Sequence, residues 1–401
     1  MKNVPEIRFK GFADTWEHRK VDEVAEINPR SIVPEQFEYV DLESVLGTEL
    51  VSHRTESRDT APSRAQRLAK EGDIFLQTVR PYQQNNFLFD LPFKNFVFST
   101  GYAQLRPKVN SSFLFAKLNE EKFVSVVLEK CTGTSYPAIN SADLAQINIE
   151  IPQNTEEQAA IGTFFRIIDI TITLYRHKLD LLRQIKNGYL RQMFPHGMES
   201  VPRVRFTGFL ESWEACRLGD IAPLRGGFAF QSEDFQDSGI PIIRISNIQS
   251  SGNVGGEFVC YNCQEPDDKF SLHDNAVLIA MSGATTGKVA ILNNPDNKKF
   301  YQNQRVGYFT DSGEADYNFI SILVRSYSFT NQLKSALVAG AQPNISSKEI
   351  DSFVLYIPSC IKEQAAIGRF FRNLDNQIAV YQTKLNSLKQ LRAAYSQKIF
   401  V

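Results

Sequence analysis

The chain is poor in the residue types that catalytic and metal sites are usually built from. Its 401 residues include only five cysteines and five histidines. An odd cysteine count fits a reducing compartment better than a disulfide framework. Cys260-x-x-Cys263 is half of a zinc site, but no second pair follows and His273 alone does not complete four ligands, so two reduced thiols on a hairpin are expected. The histidines form no cluster spaced for ligation or a triad. No run of 18 or more apolar residues is present, which excludes a membrane-crossing helix. The opening MKNVPEIRFKGF holds no apolar stretch suited to a secretory leader, and cytoplasm is the expected location. Nucleotide fingerprints are also missing. Gly283 to Lys288 has three residues between its glycines where a phosphate loop needs four, and Val289 stands where Ser or Thr would bind magnesium. Arg80-Pro81-Tyr82 lacks the acidic or amide lead and the second proline of an amino-methylating tetrad. The acidic pieces at 266–269 and 295–296 are spaced wrongly to share a metal.

What the chain does have is repetition, which has to be read before anything else. Ile151–Phe194 returns as Ile357–Phe400 at an offset of 206, with 20 of 44 positions identical. The shared core is EQAAIG-x-FFR, at Glu157–Arg166 and Glu363–Arg372. A second repeat opens each half: VPEIRFKGFADTWE at Val4–Glu17 and VPRVRFTGFLESWE at Val201–Glu214. Between the repeats lie two stretches, 18–150 and 215–356, that scarcely resemble each other. Net charge is only −1, yet the two long repeats are positive, by +2 and +5, so the remainder sums to −8. Binding to nucleic acid would therefore rest on local clusters or on a basic partner.

The long repeats read as helices. Apolar residues fall at Ile161, Phe165, Ile168, Ile172, Tyr175, Leu179 and Leu182, and again at Ile367, Phe371, Leu374, Ile378, Tyr381, Leu385 and Leu388. Steps of four and three over three heptads predict a coiled-coil seam. The heptad fails at Lys186 and Arg392, where a seam position is basic. Thr155 with Gln158 reads as a capping box for the first helix, which the second lacks because Ile361 stands at that place. Each helix should run for about 38–40 residues, roughly 57–60 Å. Pairing with each other, antiparallel, would hold two globular domains at opposite ends of a rod about a pseudo-two-fold axis. The alternative is that each packs on its own half or on another chain.

The variable stretches read as mixed α/β (α+β). Strands are expected at Asp73–Val79, Phe96–Leu105 and Ile147–Ile151, then at Ile240–Ile245, Ala276–Ala280, Lys288–Leu292 and Phe353–Ile357. Helices are expected at Ser112–Glu129 and Tyr317–Leu337. A matched turn closes each domain, Tyr136-Pro137-Ala138-Ile139-Asn140-Ser141 and Gln342-Pro343-Asn344-Ile345-Ser346-Ser347. The divergent middles carry side chains suited to base edges: Arg pairs with guanine, and Asn or Gln with adenine. Candidates are Arg54, Arg58, Arg80, Tyr82, Gln83 and Asn85 in the first, with Arg64 and Arg67 nearby. The second offers Arg225, Arg244, Asn247, Lys288, Asn303, Gln304 and Arg305. Lys and Ser/Thr would hold phosphates. Singly, each is also what a solvated surface would show.

Together the doubled EQAAIG-x-FFR helices, the closing turns and the VP-x-x-RF-x-GF-x-x-x-WE openings resemble the specificity subunit of type I restriction-modification systems, over almost the whole chain. The resemblance implies four segments: target-recognition domains at 1–150 and 197–356, and spacer helices at 151–196 and 357–401. It implies that each domain reads one half of an asymmetric bipartite site on double-stranded DNA. The antiparallel helices would set the gap and dock two modification (methyltransferase) subunits, with two restriction subunits completing the assembly. The subunit would be non-catalytic and bind no cofactor. S-adenosylmethionine would sit in the modification subunit, and ATP and magnesium in the restriction subunit. Two other classes compete: a coiled-coil interaction scaffold that reads no DNA, and a self-contained methyltransferase or nuclease, which the missing motifs oppose.

Overall fold

The computed structural model describes residues 4–196, 199–338 and 344–400; Gln342 and Pro343 of the second closing turn lie outside the described residues. The chain divides into two units. One holds residues up to 179 together with those from 381 onward, and the other holds 180–380.

In the first unit, Glu17–Lys20 pairs antiparallel with Asn148–Ile151, so the domain's opening and closing segments form one ribbon. Two four-stranded sheets follow. One runs in the order Arg54–Ser57, Gln36–Val40, Phe96–Ser99, Ala65–Leu68, with its central pair parallel. The other runs Ala25–Ile27, Tyr102–Pro107, Ile74–Gln77, Phe87–Leu88, all antiparallel. The second unit repeats this order strand for strand. Its ribbon is Glu214–Arg217 with Val354–Ile357. Its sheets are Val259–Tyr261, Ile240–Ile243, Phe300–Gln302, Ser271–Leu272, again with a parallel centre, and Leu224–Arg225, Val306–Phe309, Val277–Ala280, Val289–Ile291. Two bodies of unlike sequence thus share one topology. What survives is pattern: Ile74–Gln77 and Val277–Ala280 are buried at all four positions, as a central strand covered on both faces requires.

Several elements are shorter than their sequence suggests. Phe96–Leu105 is two strands in different sheets, parted at Thr100-Gly101. The segment 112–129 is two helices, Ser111–Leu118 and Glu121–Glu129, because the buried Asn119 turns its amide back onto Phe115 O at 2.7 Å and ends the first. Likewise 317–337 is Tyr317–Leu323 and Tyr327–Val338, with the buried Ser326 hydroxyl accepting from Phe329 N at 3.3 Å to start the second. The closing turns cap short helices: Asn140 accepts from Asp143 N and Ser346 from Glu349 N.

The long repeats are helices of 38 and 39 residues, Thr155–Gln192 and Ile361–Ile399. Within each unit they run antiparallel. In the first, Phe165 stacks on Phe400 at 5.2 Å and Tyr175 meets Tyr381 at 5.5 Å. In the second, Tyr189 meets Phe370 at 5.0 Å and Lys186 binds Asp375. The capping box does not form. Asn154 caps the first helix, accepting from Glu156 N at 2.7 Å. Gln158 is engaged elsewhere, donating to Pro152 O at 2.8 Å and accepting from Asn110 N at 3.0 Å. Gln364 repeats this with Pro358 O and Asp316 N.

The rest of the motif is explained in the same way. Glu157, buried, takes two hydrogen bonds from Arg8, both at 2.7 Å; Glu363 takes two from Arg205, at 2.6 and 2.7 Å. A Cβ on Gly162 would lie 2.5 Å from Phe113 N, and one on Gly368 2.8 Å from Phe319 N, so only glycine lets the helix lie against that backbone. The repeated opening is locked to the repeated helix: Ile7 N donates to Lys398 O and Val204 N to Gln192 O.

Candidate nucleic-acid interface

The loops rich in candidate residues are the turns between sheet strands, and equivalent turns meet equivalent neighbours in the two domains. In the first, the turn 78–86 joins Ile74–Gln77 to Phe87–Leu88 and reaches the hairpin at 45–50, where Gly47 N donates to Asn85 Oδ1 at 2.9 Å. In the second, the turn 281–288 reaches the segment after Ile240–Ile243, where Thr285 Oγ1 donates to Ile245 O at 3.1 Å.

The side chains divide into those held by the protein and those left to solvent. Gln83 accepts from Gln77 Nε2 at 2.8 Å, although it sits in an exposed position. Asn85 takes the Gly47 amide, and Asn86 is buried between Gln77 N and Asn119. Tyr82 is 52 % exposed, and Arg80 lies over the Tyr136 ring at 4.4 Å. Arg54 is exposed but ion-paired with Asp41 and Glu56 and laid over Tyr39. Arg58 donates to Val33 O. Arg64 is exposed, while Arg67 is half-buried, its guanidinium held below the ordinary value by burial.

In the second domain, Arg225 donates to Gln302 Oε1, Asp268 O and Ser271 O at 3.1, 2.9 and 2.7 Å and stacks on Tyr308, with burial lowering its pKa. Asn247 is fully buried, accepting from Arg244 N and donating to Gly255 O and Glu257 O; it closes a turn and offers nothing to a ligand. Arg244 is half-buried against Phe235, and Lys288 and Asn303 are half-buried. Gln304 and Arg305 stand exposed on the turn between Phe300–Gln302 and Val306–Phe309. That turn meets the glycine run, since Phe228 N donates to Gln302 O and Gln304 N to Phe228 O. Gly227 is required there, because its Cβ would be 2.3 Å from Asn303 O. Sequence reasoning missed the organising role of Gln77 and counted Gln302, with the run 302–305, among the side chains suited to base edges; both are buried at strand ends, and Gln302 spends its amide on Arg225 O and Val306 O. Their only signal is an amide closing an apolar strand.

Among the described residues no group of three His, Cys, Asp or Glu could hold a metal, and no helix is long and apolar enough to cross a membrane. Cys260 is buried, Cys263 exposed, and both are free thiols.

On the first helix Ile161, Phe165, Ile168, Ile172, Leu179 and Leu182 are buried and Tyr175 half-buried; on the second Ile367, Phe371, Leu374 and Leu385 are buried and Ile378, Tyr381 and Leu388 half-buried. A second apolar row, Ile167, Ile170 and Leu174, stays exposed on the first helix within the first unit. The 3.5-residue count passes over it. Its counterparts 206 residues on are Asn373, Asn376 and Val380.

Residues 13–184 and 210–390 each match the model of the type I restriction modification DNA specificity domain. The chain belongs to that family. Each matched stretch takes in one domain body and most of its long helix, so the DNA specificity domain is present twice. The type I restriction enzyme MjaVIII specificity subunit of Methanocaldococcus jannaschii is 22 % identical over 81 % of this chain and 72 % of its own. The EcoAI specificity subunit of Escherichia coli is 32 % identical over 52 % of this chain and 34 % of its own. The crystal structure of a type I S subunit from M. genitalium superposes with a TM-score of 0.70, covering 99 % of both chains at 16 % identity, a likeness of fold.

Proposed function

We propose that each specificity domain reads one half of an asymmetric, bipartite site on double-stranded DNA. The two long helices would set the gap between the halves and dock methyltransferase (modification) subunits. One observation carries this reading: a single topology occurs twice on a repeated helical frame, while the turns it presents differ in nearly every side chain. Arg80-Pro81-Tyr82-Gln83-Gln84 in one domain answers to Gly283-Ala284-Thr285-Thr286-Gly287 in the other. A frame kept constant around unlike turns suits two different sequences read at one spacing. The exposed row Ile167, Ile170, Leu174 supports docking, since three apolar side chains on one helix face are better covered than left in water.

In this reading the chain is non-catalytic and binds no cofactor. S-adenosylmethionine belongs to the modification subunits, and ATP and magnesium to the restriction subunits, two of each completing the assembly in the cytoplasm. Mapping methylated bases in cells that carry the intact system tests the proposal. A motif of two unlike halves is expected, and exchanging residues 18–150 for another recognition domain should change one half alone. A change in both halves, or in neither, would sink it.

A further inference from the structure

We propose that Arg80 and Gln84 are specificity-determining residues of the first domain, reading base edges in its half-site. The assignment rests on the DNA-reading function proposed above.

Among the described residues, five that are not glycine have positive φ: Asn28, Asn275, Asn297, Arg80 and Gln84. Asparagine tolerates the left-handed region; arginine and glutamine gain nothing there and suffer the Cβ crowding. Arg80 stands at φ 54°, ψ 53° and Gln84 at φ 53°, ψ 36°.

The second domain shows what the fold asks for at these positions. The two turns superpose in register at an offset of 203. Val79 bridges Ala138 as Ser282 bridges Asn344. Gln83 N donates to Arg80 O at 3.0 Å, and Thr286 N to Gly283 O at 3.1 Å. Thr78 N donates to Gly101 O and Met281 N to Arg305 O; Ile139 N donates to Thr78 O and Ile345 N to Met281 O. In that register Arg80 corresponds to Gly283, at φ 77°, and Gln84 to Gly287, at φ 83°. The turn therefore needs left-handed backbone at both places. The second domain meets the need with glycine, which adopts it freely. The first meets it with two polar side chains, at a cost in stability.

Nothing inside the protein compensates fully. Neither the Arg80 guanidinium nor the Gln84 amide has a hydrogen-bond partner among the described residues; Arg80 has only the face of Tyr136. Their neighbours Gln83, Asn85 and Asn86, which look equally suited to DNA in the sequence, are the ones tied down, through Gln77, Gly47 and Asn119. The loop is thus braced by three amides while presenting two strained side chains, and strain kept without structural return marks functional positions. A glutamine amide matches the adenine edge bidentately and a guanidinium the guanine edge. In domain two the same positions are more closely packed: a Cβ at 287 would lie 2.8 Å from Leu333 Cδ2 and one at 283 would lie 3.2 Å from Ile245 Cδ1, so a side chain there would have to displace those methyls.

The test replaces each residue with the glycine its counterpart carries, in the full chain co-expressed with its modification subunits. Gln84→Gly and Arg80→Gly are compared with wild type by genome-wide mapping of methylated motifs. Each variant is expected to relax one position of the first half-site, with preference there falling about tenfold or more, while the second half-site stays as it was. Purified Gln84→Gly should unfold at or above the wild-type midpoint, because glycine relieves the strain. Unchanged motifs and extents in both variants would overturn the assignment, as would relaxation in the second half-site or a lower midpoint for Gln84→Gly. A wild-type system methylating without any bipartite motif would instead overturn the reading on which the assignment rests.

Discussion

The Arg392 guanidinium donates two hydrogen bonds to the Asp169 carboxylate, Nε to Oδ1 at 2.5 Å and Nη2 to Oδ2 at 3.2 Å, at the seam position where the apolar heptad of the second long helix fails. The same failure in the first helix is matched by the same device: Lys186 Nζ lies 2.5 Å from Asp375, which also takes Arg325 at 3.1 Å. Burial, reinforced by the Arg325 charge, holds the Lys186 ammonium below its ordinary value, and Asp375 opposes them. A basic residue in an apolar seam is tolerated only where an acid meets it, so each pair admits one register and excludes neighbouring ones.

Removing the acid should therefore cost more than removing the pair. Asp169→Ala leaves a half-buried guanidinium unpaired and is expected to lower stability by about 2–4 kcal/mol. Asp169→Leu combined with Arg392→Met should recover most of that loss. Denaturant titration of both variants checks this; equal losses would show that the charge pair is not the source.

Two glycines of one helix should respond oppositely to alanine. Gly162→Ala forces a Cβ into backbone atoms of Phe113 and Ser112 that cannot swing aside, and should cost about 2 kcal/mol or more. Gly188→Ala meets nothing within 4 Å and should stabilise by about 0.5–1 kcal/mol. Thermal unfolding of the two variants reads the contrast directly.

Arg225 and Arg305 should separate structure from recognition. Arg225→Ala leaves Gln302 Oε1 and two carbonyls without their donor and should destabilise the second unit by about 1–3 kcal/mol. Arg305→Ala removes an exposed side chain and should change stability by less than about 0.5 kcal/mol while weakening DNA binding by the assembled complex. Gel-shift titrations paired with melting curves check both arms.

The exposed row on the first helix should matter to assembly alone. Changing Ile167, Ile170 and Leu174 together to serine should leave the unfolding midpoint near wild type and reduce recovery of the modification subunit in co-purification. Full recovery would place docking elsewhere.

The long helices were legible because periodicity is a property of spacing: three heptads of three-and-four steps, at Ile161–Leu182 and again at Ile367–Leu388, admit few other shapes. The shared topology of the two domain bodies was not. It rests on which strands are buried on both faces, and apolar residues exchange for one another freely there. Single polar residues were the least legible. Asn85 and Asn247 have the chemistry to read adenine, but that chemistry serves equally to satisfy a backbone amide, and only geometry shows that they do the latter. The cap was misplaced for a similar reason. Asn154 and Thr155 are adjacent cap formers, and Gln158 was already committed to Pro152 and Asn110.

Phe400 fills the core of the first unit, packed on Phe165, Phe113 and Trp16, as Phe194 fills the second against Phe371, Phe319 and Trp213. The second unit is one continuous stretch, 180–380, whereas the first needs residues from both sides of it. On the ribosome the domain that emerges first must therefore wait with an unfilled core until the residues from 381 onward arrive, and the domain begun later is complete before it. Order of synthesis and order of completion run in opposite directions along this chain.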